Sequence, residues 1–595
     1  MPSLIVSILA LVLAVGVSCA APVEQRLDNG VTVTVDRETG GLSAVALPTG
    51  VQILSLARPA QFHRPEVRCI RDGGTPQVTT SALLSADMAA QAVIEAGPSR
   101  ITVSWQMPGA PWRVRETIEP VTRDLFGVKL GGFAIRYEVE HALDAVTAIV
   151  EHLTFAPNGK MEGAESYTLT DHRIIHQVWT PRPGKAVGWG MLGLNRQAFD
   201  LAFFGDLALV AYPEELSPPI TGTVENWESP LLVPVHTFSF GACRDAVVRT
   251  PAMNYLFGAL PGSPDDAWAR IHGFLVDKYS RLYRIKRDPP RLTLVLDRPT
   301  LRHGNTLSGV AKQYMPTVAR AKAPYLYLGP MWRHRPGASE CAPLDYTIHP
   351  DLGGEQGLTS FCAQAHKAGA KVLVWWDCHI ASDSPLLRAH PDWPALNADG
   401  TPYMAGYKDI TSLSLLNPEV YSLCKRTLLG LRDRCGIDGV FWDSSANFSC
   451  LPVDYRYGAP VLPARLRFER DLHEAGLIVF PEEYQSFGMS GLLVNEMEGH
   501  NAFGFGAIGV WSQDPERVFA NYSAFRIDTE GVTNERADRF ATLAARQAHV
   551  LATLGDAPLY VQSEGDGVRW HYRNGSALWR PDGVTIQKDT ARPGE

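Results

Sequence analysis

The feature that most constrains the fold of this 595-residue chain is an alternation of buried strands and amphipathic helices in its second half. Apolar runs of strand length recur there at helix-length intervals. These runs are "RLTLVLD", "APYLYLGPMW", "AKVLVWWD", "IDGVFWD" and "GLIVFPEE". Strands that are apolar on both faces and alternate with helices form parallel sheets, and five or more units favour a (β/α)8 TIM barrel. No G-x-G-x-x-G follows the first run, which disfavours a dinucleotide-binding sheet.

The first half of the chain has a different periodicity. Between residues 22 and 260, short alternating segments such as "GVTVTVD" and "FAIRYEVEHAL" are separated by Gly, Pro, Asn and Asp. This pattern predicts an antiparallel β-sandwich. A helical linker is expected over residues 261–290, because "SPDDAWARIHGFLVDKYSRLYRIKRDPP" begins at a cap signal and ends at two prolines.

The barrel is then expected over residues 291–565, followed by a short C-terminal β hairpin region over residues 566–595. The sequence pattern of the later barrel strands is weaker than that of the first five. The candidates are "GLLVNE", "GAIGVWSQD" and "APLYVQ". No Ser/Gly-rich linker separates the two halves, so we expect the sandwich to pack on the barrel.

Residues 1–21 are predicted to be a signal peptide, because an apolar run over residues 4–17 precedes small residues. This run is shorter than the ~20 apolar residues that a membrane-spanning helix needs. The prediction is a secreted or periplasmic protein with no membrane span. A lipoprotein anchor at Cys19 is the weaker alternative, since Gly16 stands where such sites normally carry Leu.

The composition excludes some classes of partner. The net charge is −8 and no run of Lys or Arg occurs, which argues against nucleic acid and favours a neutral substrate. Neither C-x-x-C nor H-E-x-x-H is present, so the sequence predicts neither a metal nor a cofactor. Disulfide pairing and oligomeric state are left open.

Carboxylates and tryptophans cluster where the predicted parallel strands end. They are Asp297, Asp377, Asp443, Glu482 and Glu483, with Trp375, Trp376 and Trp442 beside them. The carboxyl ends of barrel strands converge on one mouth, so these groups are expected to share a pocket. Indole faces stack on sugar rings, and two carboxyl groups divide the work of glycosidic cleavage. A single acid of this kind would more often be a strand-end cap, but acids at four of the five strand ends favour an active site.

The segments "AGAKVLVWWDCHIASDSPLLRAHPDW" and "SLLNPEVYSLCKRTLLGLRDRCGIDGVFWD" carry a more specific pattern. They resemble the melibiase type of α-galactosidase, glycoside hydrolase family 36 of clan D. That family shows a Gly-x-Lys-x-x-x-x-Trp strand, a His-Pro-Asp-Trp segment, a Leu-x-Asn-Pro-Glu-Val helix start and an Ile-Asp-x-x-x-Trp-Asp strand in this order. The match extends over roughly residues 290–450. The family's N-terminal β-supersandwich agrees with the first half in architecture alone.

The resemblance implies a retaining mechanism in which Asp443 is the nucleophile. It also implies an acid/base residue after the sixth strand, where Trp511 is followed by Asp514. Glu483, at the fifth strand end, is the alternative acid/base and would match α-amylase-like or transglycosylase barrels. We assign the remaining strand-end groups to substrate binding. These are Asp297, Trp332, Trp375, Trp376, Asp377, Trp442 and Glu482.

Two departures from the family leave alternatives open. The family's Asp-Asp-Gly-Trp motif after the second strand is replaced by "LGPMWRHRPG", which keeps only Trp332, and "PEEYQSFGMSG" stands in place of Cys-Ser-Ser-Gly-Gly-Gly-Arg. The sequence therefore predicts an α-glycosidase, with galactose as one candidate sugar, and keeps a carbohydrate-binding or inactive barrel as the alternative. His379 is expected to be a hydrogen-bonded loop residue rather than a substrate contact.

Overall fold

The computed structural model describes most of both halves of the chain. It covers residues 21–55, 65–70, 80–83, 92–106, 113–125, 127–140, 145–153, 165–170, 173–178, 200–215, 220–224, 234–262, 264–284, 293–296, 306–397, 399–404, 409–443, 453–481, 524–526, 533–555, 559–564, 567–580 and 582–589. No helix within these ranges is long and apolar enough to cross a membrane.

Nineteen strands form the first half of the described chain. They are β1 Val23–Arg26, β2 Thr32–Val35, β3 Leu42–Ala46, β4 Gln52–Ser55, β5 Glu66–Ile70, β6 Thr80–Leu83, β7 Ala92–Gly97, β8 Arg100–Gln106, β9 Arg113–Leu125, β10 Val128–Glu140, β11 Ala145–His152, β12 Glu165–Thr170, β13 Arg173–Val178, β14 Asp200–Phe204, β15 Leu207–Pro213, β16 Ile220–Val224, β17 Pro234–Cys243, β18 Val247–Arg249 and β19 Met253–Gly258.

These strands build three antiparallel sheets. The largest has the order β13-β12-β14-β15-β19-β10-β9-β8-β7, with β18 also on β10, and the others are β16-β17-β11-β5-β6 and β1-β2-β3-β4. Residues from all three sheets share one core, including Val103, Phe133, Ile149 and Val33. Antiparallel sheets that pack their inner faces around one core form a β-sandwich.

The outer face of the largest sheet also carries apolar residues, and these pack against helix α1, Pro264–Leu282. Val121 and Leu256 of the sheet form one buried cluster with Ile271 and Tyr279 of α1. The phenol of Tyr279 donates a hydrogen bond of 2.6 Å to the backbone carbonyl of Pro213. Helix α1 is therefore packed on the sandwich and is not a flexible linker.

The second half contains the remaining helices and strands. The helices are α2 Leu307–Ala321, α3 Gly354–Lys367, α4 Pro385–Ala389, α5 Pro418–Cys435, α6 Leu462–Glu474 and α7 Asn534–Leu554, with a 3-10 turn at Pro350–Leu352. The strands are β20 Thr293–Leu296, β21 Tyr325–Leu328, β22 Lys371–Trp376, β23 His379–Ala381, β24 Ile410–Ser412, β25 Gly439–Trp442, β26 Val453–Asp454, β27 Ala459–Pro460, β28 Ile478–Pro481, β29 Ala524–Arg526, β30 Tyr560–Glu564, β31 Gly567–Tyr572, β32 Gly575–Arg580 and β33 Gly583–Lys588.

Six of these strands form one parallel sheet in the order β28-β25-β22-β21-β20-β29. The five apolar runs identified in the sequence supply β20, β21, β22, β25 and β28, and they lie side by side in chain order. The late strand β29 pairs with the first of them, β20. Because all six strands run in one direction, their carboxyl ends lie along the same edge of the sheet.

Helix α6 connects the parallel sheet to the sandwich. Its residues Phe468 and Leu472 belong to the core of the parallel sheet. Leu462 and Leu466 of the same helix belong to the cluster of α1 and the sandwich. The two halves of the chain therefore share a continuous apolar contact, in agreement with the expectation that the sandwich packs on the other half.

The C-terminal region corrects one strand assignment. The "APLYVQ" segment, expected as a late barrel strand, contains the start of β30, which pairs antiparallel with β31. Strands β30, β31, β32 and β33 form a four-stranded meander rather than a hairpin. Strands this close in sequence pair through short turns, so an apolar run alone could not distinguish the two outcomes. The short strand β29 was not identified from the sequence.

Gly439 at the start of β25 provides a test of this packing. A Cβ atom there would lie 2.3 Å from the backbone oxygen of Ile478 and 2.8 Å from Cδ2 of Leu373. We expect Gly439→Ala to lower the free energy of unfolding by about 1–3 kcal/mol through overpacking. Gly583→Ala is the matched control, because a Cβ there meets nothing within 4 Å in the described part of the chain. Denaturant unfolding should show equal stability for both variants if β25 is not packed in this way.

Candidate active site

Asp443 directly follows β25, at the carboxyl edge of the parallel sheet. Its backbone N–H donates a hydrogen bond of 2.9 Å to the carbonyl of Trp376. Its carboxylate accepts a hydrogen bond of 2.6 Å from the indole N–H of Trp375 on the neighbouring strand β22. Asp443 therefore follows one strand and is hydrogen-bonded to the neighbouring strand through both its backbone and its carboxylate, and its side chain is only partly buried. This is the geometry of an acid positioned at the mouth of a parallel sheet.

Trp375 is itself held from the next strand. The indole N–H of Trp332, which follows β21, donates a hydrogen bond of 3.1 Å to the backbone carbonyl of Trp375. Trp332 is fully buried, and Trp375 is 2% exposed. Trp332 therefore positions Trp375, and Trp375 donates the hydrogen bond to Asp443.

Trp376 and Trp442 lie on the opposite face of the sheet from Trp375, because successive side chains of a strand alternate. Their ring centroids are 5.1 Å apart. Phe468 of α6 packs against both, at 5.4 Å from Trp376 and 5.5 Å from Trp442. The guanidinium group of Arg465 lies over the Trp442 ring at 5.3 Å. The structure thus places these two predicted sugar contacts between the sheet and a helix.

A second carboxyl group, Asp377, follows β22 on the same side as Trp375. It is 6% exposed and forms a hydrogen bond through Oδ2 with Nδ1 of His379, which is 4% exposed. The backbone N–H of Cys378 also bonds to this carboxylate. The bend at Cys378 brings the Asp377 carboxylate and the His379 ring together.

Asp377 and Asp443 are close enough to interact electrostatically. Burial raises the pKa of Asp377 to about 6, even though the charge and hydrogen bond of His379 lower it. The negative charge of Asp443 adds to the upward shift of this pKa. The sheet edge therefore carries two carboxyl groups in different environments, one almost completely buried and one partly buried.

Tyr346 holds this turn in place and was not anticipated from the sequence. Its phenol forms hydrogen bonds to the backbone carbonyls of Asp377 at 2.9 Å and His379 at 3.0 Å. Burial raises the pKa of the Tyr346 phenol well above its ordinary value. Tyr346 comes from the long loop after β21, where no periodicity marks a buried residue, so the sequence carries no signal for it.

The motif residues that carry the family resemblance interlock outside this site. Asn417 caps helix α5 by accepting a hydrogen bond of 2.9 Å from the backbone N–H of Glu419, and it donates one of 3.2 Å to Asp392. The indole of Trp393 donates to Glu419 at 3.2 Å, and the His390 ring stacks on Trp393 with centroids 3.9 Å apart. The "HPDW" and "NPEV" segments are thus two halves of one structural contact.

The other predicted site residues lie outside the described part of the chain. These are Asp297, Glu482, Glu483 and Asp514. Asp297 immediately follows β20, and Glu482 immediately follows β28. Among the described residues, no group of three or more His, Cys, Asp or Glu side chains could hold a metal ion.

Comparison by sequence finds no relative. No family model matches the chain, and no curated protein matches it.

Comparison by structure finds many related folds. The α-N-acetylgalactosaminidase NagBb from Bifidobacterium bifidum, solved with GalNAc, superimposes with a TM-score of 0.60 at 12% identity, over 95% of this chain and 99% of that chain. A GH36 α-galactosidase, AgaA from Geobacillus stearothermophilus, gives 0.56 at 10% identity, over 94% and 91%. The α-galactosidase from Lactobacillus brevis gives 0.56 at 10% identity, over 94% and 89%. The predicted resemblance is confirmed at the level of the fold: the chain has the fold of the GH36 α-galactosidases.

Proposed function

We propose that this protein is an exported α-glycosidase that cleaves its substrate with retention of configuration, and that Asp443 is its nucleophile. The observation that carries this proposal is the partly buried Asp443 carboxylate, held at a parallel strand end by the 2.6 Å hydrogen bond from Trp375. A fixed carboxylate can attack an anomeric carbon and form a glycosyl-enzyme. The apolar segment over residues 4–17 supports export.

The proposed reaction has two steps. In the first, a carboxylate oxygen of Asp443 forms a bond to the anomeric carbon while a second acid protonates the departing glycosidic oxygen. In the second step, the residue that donated this proton, now a carboxylate, takes a proton from water. The water oxygen attacks the anomeric carbon and displaces Asp443 from the sugar. The proton donor is proposed to be Asp514, with Glu483 as the alternative. Two carboxyl groups suffice for this chemistry without a cofactor.

The fold similarity supports the choice of α-glycosides. The three solved structures named above are α-galactosidases and an α-N-acetylgalactosaminidase by name. The late strand β29 pairs with the first strand β20, as the last strand of a barrel would. We therefore include closure of the parallel sheet into a (β/α)8 barrel in the proposal.

The residues that follow β21 bear on which sugar this protein would recognise. There, Gly329, Pro330, Met331 and Trp332 are all buried and supply no charged side chain. The charged residues that follow, Arg333 and Arg335, form ion pairs with Asp345 and Asp383. Recognition of sugar hydroxyls is therefore proposed to come from other strand ends, of which β22 carries Asp377. Galactose and N-acetylgalactosamine are the first sugars to test, and Asp377 is proposed to contact one of their hydroxyl groups.

The nucleophile is tested by Asp443→Asn. An amide cannot form the ester intermediate, so we expect kcat on a 4-nitrophenyl α-glycoside to fall by at least about a hundredfold. Asp433→Asn, an exposed position on α5, is the matched control and should keep the wild-type rate. Thermal unfolding should be similar for all three proteins. A residual rate above about a tenth of wild type would exclude Asp443 as the nucleophile.

The acid/base residue is tested by azide rescue. Azide attacks a glycosyl-enzyme without needing a base, so it restores turnover of an activated aryl glycoside only when the acid/base residue is missing. We expect rescue of Asp514→Ala, giving a glycosyl azide of retained configuration, and no rescue of Glu483→Ala. Rescue confined to Glu483→Ala would assign the role to the fifth strand and favour an amylase-like barrel.

The alternative function is decided by a substrate screen. Aryl α- and β-glycosides of common hexoses and of N-acetylhexosamines should include at least one substrate for the wild-type protein. If none is cleaved but an oligosaccharide binds, the protein is a carbohydrate-binding barrel without hydrolase activity.

A further inference from the structure

We propose that His379 is a positioning residue that keeps the buried Asp377 carboxyl ionised and oriented as a hydrogen-bond acceptor for a sugar hydroxyl beside Asp443. This inference rests on the proposed function for its substrate. Its structural part concerns the Asp377–His379 pair alone and can be tested without any substrate.

The geometry of the turn carries the inference. Both side chains are almost completely buried, and Nδ1 of His379 bonds to Oδ2 of Asp377. The phenol of Tyr346 forms hydrogen bonds to the backbone carbonyls of Asp377 and His379. His379, in β23, is also paired with Ser412 of β24. A contact held by a second strand and a tyrosine has one defined orientation, which the tip of a mobile loop would lack.

The surroundings of the pair explain why Asp377 needs a cation. On its own turn it faces Cys378 and His379, β25 contributes Asp443, and the preceding loop contributes Tyr346. Cys424 of α5 also lies near the Tyr346 phenol. Of these groups, only His379 can carry a positive charge. A buried carboxyl beside another carboxylate would otherwise hold its proton, and a protonated carboxyl is a poorer acceptor.

The pH dependence follows from these contacts. In the wild-type protein Asp377 loses its proton as the pH rises through about 6, so the acceptor form is present above that pH and lost below it. Removing the imidazole removes the contribution that lowers the pKa of Asp377. The acceptor form should then appear only at higher pH.

The kinetic test compares four proteins. His379→Gln should move the acidic limb of the kcat/KM profile for 4-nitrophenyl α-D-galactopyranoside, or its N-acetylgalactosaminide, upward by about one pH unit or more. The loss at neutral pH should fall mainly on KM and should recover in alkaline buffer. Asp377→Asn should lower kcat/KM across the whole range. Adding His379→Gln to Asp377→Asn should cost less than about twofold more, because His379 acts through Asp377.

The matched control is His366→Gln. The Nε2 atom of His366, in α3, bonds to Oδ2 of Asp438, just before β25, at 2.8 Å. These two residues are also an Asp–His pair, but their side chains are more exposed than those of Asp377 and His379. This variant should keep the wild-type pH profile. A shift of equal size in His366→Gln, or an unshifted limb in His379→Gln, would overturn the inference.

Infrared difference spectroscopy tests the pair without substrate. At pH 7, His379→Gln should gain the C=O band of one protonated carboxyl group, and the Asp377→Asn/His379→Gln double variant should lack it. His366→Gln should show no new band. If the wild-type protein cleaves no glycoside but the band appears as described, the proposed function fails while the pair is upheld. If glycosides are cleaved and no band appears, the inference about His379 is wrong.

Discussion

The hydrogen bond from the Trp375 indole to Asp443 is the contact on which the candidate site depends. It can form only if β22 and β25 are parallel neighbours in register, since Trp375 pairs with Phe441. That register requires Gly439, where the adjacent strand leaves no room for a Cβ atom. Trp332 then fixes Trp375 from the other side. Sheet register, a missing side chain and two buried indoles together set the position of one carboxylate.

Much of this arrangement follows from the sequence, because burial on both faces leaves a strong signal in a parallel strand. The five apolar runs are neighbouring parallel strands as predicted, and the two described acids, Asp377 and Asp443, follow β22 and β25 at one edge of the sheet. The sequence did not predict which tryptophans face the site and which face the helix. Trp375 and Trp376 are adjacent and equally apolar, and only the structure shows that the first faces Asp443 and the second faces Phe468. Tyr346 and β29 also left no periodic trace, because a loop residue and a three-residue strand are too short to produce one.

The motif residues show why a fold can be recognised when overall identity is about 10–12%. His390, Asp392, Trp393, Asn417 and Glu419 contact one another and not Asp443. They join a loop after β22 to the start of α5, and so they stabilise the approach to β25. Such residues report the architecture of the chain, whereas function has to be argued from the residues of the site itself.

The double role of α6 has a consequence for how such proteins can be recombined. Leu462 and Leu466 pack with the sandwich, while Phe468, two residues after Leu466, packs against Trp376 and Trp442 behind the site. A chimera that exchanged the first half of the chain at the α1 boundary would keep Leu462 and Leu466 of α6. It would replace the sandwich residues against which these two leucines pack. Modular exchange between proteins of this architecture would therefore need a crossover that carries this helix face along with the sandwich.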